Sequence, residues 1–80
     1  MTYLWQEERG RKFYRVQTDQ KSISQKLKRR NKFRLSTCAV NANLWIYSCE
    51  FSRPDIAKQT LKSITGKTAK MDSEGVLTYE

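Results

Sequence analysis

Eighty residues, 38% of them hydrophobic and with two Trp, four Tyr and three Phe, are enough for one small core and one domain. Sixteen Lys or Arg against eight acids give a net charge of +8, and no apolar run reaches the eighteen or so residues of a membrane-spanning helix. The charge is uneven. Residues 9–34 hold 11 basic side chains and one acid, a local charge of +10, so the rest of the chain sums to −2. Such asymmetry points to a polyanionic partner, and the lack of a membrane-length apolar run leads to the expectation of no membrane. The first twenty residues lack the apolar stretch of a signal peptide. Two cysteines, Cys38 and Cys49, and no histidine form neither a disulfide framework nor a metal-ligand spacing. The expectation is a reduced, cytoplasmic protein with no metal and no cofactor.

Residues 1–10 carry Tyr3, Leu4 and Trp5 and then a polar run to Gly10, and read as an extra strand or a tethered arm on a single 1–80 domain. Lys12 to Thr18 alternates Tyr14 and Val16 against Phe13, Arg15 and Gln17, a short strand. A helix follows, capped by Asp19 or Ser22, with Ile23 and Leu27 four apart on one face. Its exit holds the densest charge in the chain: six of the nine residues from Lys26 to Arg34 are basic. Cations in a last helical turn complement the helix dipole, which accounts for part of this run but not for its continuation through Lys32 and Arg34.

Phe33 to Val40 and Leu44 to Phe51 read as a hairpin around Asn41-Ala42-Asn43, a loop suited to left-handed backbone. A three-residue loop sets Arg34 opposite Glu50, Ser36 opposite Ser48, Cys38 opposite Ile46 and Val40 opposite Leu44. The other face then collects Phe33, Leu35, Trp45, Tyr47, Cys49 and Phe51. Ser52-Arg53-Pro54-Asp55 starts a second helix with Ser52 as cap, Ala57, Leu61 and Ile64 line its inner face, and Gly66 ends it. Val76 to Tyr79 reads as a short last strand. The order is strand, helix, strand, strand, helix, strand: an α+β domain of ferredoxin-like, split βαβ form (βαββαβ), with an antiparallel sheet and two helices on one face. The alternative is a three-stranded βαββα unit without the last strand.

Catalysis is not expected. There is no His for acid–base work, no Gly-rich phosphate loop and no activated nucleophile. Trp45, Tyr47, Phe51 and Phe13 are similar to the base-stacking platform of RNA-recognition modules, but the register puts Trp45 and Tyr47 under the helices, as core. The expected function is a small nucleic-acid-binding module, for DNA or RNA, that contacts phosphates through Arg11, Arg15, Lys21, Lys28, Arg29, Arg30, Lys32 and Arg34. The alternative is a phage- or plasmid-type regulator that dimerises or binds an acidic protein. It would use an open sheet face carrying Phe13, Cys38, Val40, Leu44 and Ile46.

Overall fold

The first residues alternate, Thr2 and Leu4 to one side, Tyr3 and Trp5 to the other, which is the pattern of a strand with two useful faces. Thr2–Gln6 is indeed β1. The computed structural model describes residues 1–7 and 12–80, with the side chain at 40 also outside the described set. The other elements are β2 (Phe13–Thr18), α1 (Lys21–Lys28), β3 (Arg34–Ala39), β4 (Leu44–Glu50), α2 (Pro54–Thr65), β5 (Ala69–Met71) and β6 (Leu77–Tyr79). They form one antiparallel sheet in the order β3-β4-β2-β1-β6-β5. Ile23 and Leu27 of α1 and Ala57, Leu61 and Ile64 of α2 share one buried cluster with Leu4, Val16, Tyr47 and Tyr79, so both helices cover the same face.

The α+β class with two helices on an antiparallel sheet holds, whereas the ferredoxin-like arrangement does not form. That arrangement pairs the last strand directly with the first strand of the split βαβ unit. Here β1 lies between β2 and β6, and β5 adds an outer edge. The three-stranded alternative is excluded by the same sheet. The reason is pairing length. β1 matches β2 over five residues, from Thr2↔Thr18 to Gln6↔Tyr14, while β6 offers three. β1 also fills the core: Leu4 is 1% exposed, and the buried hydroxyls of Thr2 and Thr18 meet at 2.9 Å. The Met1 ammonium is fixed to the Asp19 carboxylate at 2.6 Å.

That ion pair takes Asp19 away from α1, whose N-cap is Gln20 without a side-chain cap; neither Asp19 nor Ser22 serves. In α2 the N-cap is Arg53 rather than Ser52, again without a side-chain cap. Pro54 opens the first turn, and Asp55 sits there, where a negative charge suits the dipole, 3.3 Å from Arg53. Gly66 ends α2 as expected, at φ 71°, with its N–H donating to the Lys62 carbonyl at 2.8 Å. β5 and β6 meet around Asp72, whose Oδ1 accepts the N–H groups of Glu74 and Val76.

The β3–β4 hairpin also differs. A 3-10 turn at Val40–Ala42 plus Asn43, at φ 49°, makes a four-residue loop, so Cys38 lies opposite Trp45 and Ala39 opposite Leu44. A uniform four-residue register would turn Arg34 toward the helices. A bulge between Leu35 and Thr37 absorbs the extra residue and restores Arg34 to the open face, opposite Ser48 rather than Glu50. Leu35 faces the helix side but is 50% exposed, because β3 is the edge strand.

Leu4→Ala should cost about 2–5 kcal/mol, read as a lowered urea midpoint. A loss below about 0.5 kcal/mol would mean that β1 is a dispensable arm.

Candidate nucleic-acid interface

β2, β3 and β4 bring Phe13, Arg34 and Glu50 to one end of the sheet, where α1 also ends. The chain turns back tightly there. The Arg30 N–H donates to the Leu27 carbonyl at 3.1 Å, and the Phe33 N–H donates to the Arg30 carbonyl at 3.2 Å. Phe33 and Phe51 pack edge to face beneath this turn, with ring centres 6.0 Å apart. The turn is therefore anchored by apolar side chains while its cations stay in water.

Lys28, Arg29, Arg30, Lys32 and Arg34 are all exposed and cluster in seven residues. Among the described residues none of the five makes an ion pair. Lys32 holds its ammonium 4.3 Å from the centre of the Phe51 ring. Arg34, expected to face Glu50, faces Ser48, and Glu50 lies 3.6 Å from Lys12. The second nearby acid, Glu7, is held by Arg15 at 2.9 Å. Lys32 and Arg34 line a groove of about 470 Å³ with Asn31, Phe13, Glu7 and Glu50.

The other expected phosphate contacts that are described, Lys21 and Arg15, are not gathered here. Arg11 lies outside the described residues. Lys21 begins α1 and so stands about 10 Å along the axis from Lys28. Arg15 is in the open face, opposite Ser48 and Trp5, but its guanidinium is occupied by Glu7 and by Ser36 at 3.3 Å. Lys26 reaches the Ile64 carbonyl at 3.4 Å and ties α1 to α2.

The expected apolar interface is dispersed. Leu44 and Ile46 are half-buried on the open face, but Phe13 sits opposite Glu50, six residues along β4 from Leu44. Cys38 is on the helix side of the edge strand, and the Val40 side chain is outside the described set. In their place the open face carries Tyr3 and Trp5, opposite Gln17 and Arg15. The alternation of Thr2 to Gln6 is the signal for them; residues 1–10 as an extra strand or an arm left open which face these rings would take.

Cys49 is buried and donates to the Tyr14 carbonyl at 3.7 Å. Burial pushes its thiol from 9.0 up to about 12, against a lowering influence of Lys32. It stays a thiol at neutral pH, the weakly nucleophilic form. At pH 8 a thiol reagent should label Cys38 at once and Cys49 only on unfolding. The folded state keeps a proton that the unfolded state releases, so this contribution is complete below pH 9.0 and is lost as pH rises toward about 12. Urea midpoints should fall across that interval, and less steeply in Cys49→Ala.

Among the described residues no helix is long and apolar enough to cross a membrane. No protein-family model matches the chain, and neither the curated proteins nor the solved structures provide a match.

Proposed function

We propose that this chain is a non-enzymatic, cytoplasmic module that binds nucleic acid through phosphates, with the turn between α1 and β3 as its main contact. The observation that carries this reading is the set of five exposed cations, Lys28, Arg29, Arg30, Lys32 and Arg34, without ion-pair partners among the described residues. The helix dipole accounts for Lys28 at the end of α1, but not for Lys32 and Arg34 beyond it. Leaving five like charges so close costs self-repulsion, which bound phosphates relieve, and release of the polyanion's condensed counterions adds to the gain. The two described acids of the groove, Glu50 and Glu7, are paired with Lys12 and Arg15 rather than with the cations of the turn. Contacts of this kind bind the backbone and carry no base information.

The test is fluorescence polarisation with short labelled DNA and RNA over a salt series. If all five cations meet duplex phosphates, the log–log salt slope should be about −4.5, at 0.9 per contact. The double variant Arg29→Glu, Arg30→Glu should flatten that slope by about 2 while circular dichroism stays unchanged. Absence of binding at low salt by the folded protein would end this reading.

A further inference from the structure

Three aromatic side chains lie together on the face of the sheet that the helices leave uncovered. Tyr3 and Trp5 stand two residues apart on β1, and Phe13 is two residues from Arg15, the partner of Trp5. That diagonal places Phe13 and Trp5 about 7–8 Å apart, within reach of one continuous ligand. Phe13 is 42% exposed, and Tyr3 and Trp5 are half-buried. The residues between and around them are polar, Arg15, Gln17, Ser48 and Thr78, apart from Ile46 beside Gln17. Phe13 also lines the groove that holds Lys32 and Arg34, and the Lys12 ammonium lies 5.9 Å from its ring centre.

From this juxtaposition we infer that the open sheet face is a stacking platform for the bases of a single-stranded nucleic acid, resting on the phosphate-binding reading above. Phosphates are held by Lys32 and Arg34 at the groove. The strand then crosses Phe13 and continues over Trp5 and Tyr3, each offering a ring face to an unpaired base. Every base has such a face, so the mode tolerates sequence. A duplex, whose bases are already stacked on one another, cannot use it. Charge complementarity favours this occupant over a second copy. A dimer through this face would bring together two chains of +8 each and bury Arg15 and Arg34 near their counterparts. Glu7 works against a polyanion, because it holds the guanidinium beside Trp5 at 2.9 Å.

The experiment uses the full chain carrying Trp45→Phe, so that Trp5 is the single tryptophan reporter. Oligo(dT) and oligo(U) of about 12 nucleotides and a matched duplex are titrated in low salt. Both single strands, or one of them if the sugar is discriminated, should quench Trp5 emission, and the duplex should not. In the wild-type background, Phe13→Ala and Trp5→Ala should each weaken single-strand affinity roughly 5- to 150-fold and leave duplex affinity unchanged. Glu7→Gln should strengthen single-strand binding. Phe13 is exposed, so its variant keeps the test decisive if Trp5→Ala unfolds. Binding without quenching, and without loss in Phe13→Ala, would overturn the platform and leave the turn as the phosphate site. No binding of any probe would overturn both readings. Sedimentation as a dimer that dissociates in Trp5→Ala would overturn the platform in favour of a second copy on this face.

Discussion

The structure depends on β1 being held inside the sheet. A strand with neighbours on both sides must bury one face under the helices and expose the other, and residues 2–6 satisfy both demands. Thr2 and Leu4 complete the core beneath the helices, and Tyr3 and Trp5 are left on the open side. The Thr2–Thr18 hydroxyl pair and the Met1–Asp19 ion pair fix its register at one end. Once β1 occupies the place beside β2, the last strand can only join beyond it. The fifth strand then has the outer edge.

Electrostatics follows from the same geometry. α1 is only eight residues long, so its basic end lies over the start of β2 and the start of β3. The Phe33–Phe51 pair holds that turn down, and the cations around it remain solvated. The described acids at this end, Glu50 and Glu7, are matched to Lys12, just before β2, and to Arg15 on β2. At this end of the sheet the described cations without an ion pair are those of the turn, beside an aromatic surface made by β1 and β2. A cationic edge next to exposed rings is the combination through which proteins hold single strands without reading their sequence.

The hairpin of β3 and β4 illustrates how a local irregularity preserves a face. A four-residue loop by itself would have turned Arg34 under the helices. The bulge at Ser36 corrects this, and the Ser36 hydroxyl, donating to the Ile46 carbonyl at 3.2 Å, supports the displaced backbone. The same irregularity disturbs an otherwise exposed edge strand, which discourages pairing with another chain. Arg34 thereby escapes Glu50 and joins the cations that make no ion pair among the described residues.

Residue pattern alone determined the helices, their inner faces, the Gly66 terminus and the basic turn. These are local properties: a 3.6-residue or two-residue period, a left-handed glycine, a run of like charges. It also separated Tyr47 and Cys49 as core from the open face, since alternation along one strand needs no knowledge of its neighbours. Strand order, the hairpin register and the aromatic platform required the folded chain. Tyr3-Leu4-Trp5 alternates whether it is an arm, an edge or a central strand, and only competition with β6 for the free side of β2 decides among them. A bulge leaves no mark in Leu35-Ser36-Thr37, because its cost and benefit arise from the facing strand. Whether Glu50 neutralises Arg34 or Lys12 was set by that register, so the charge free for a ligand was a tertiary property, although the charge itself was written in the sequence.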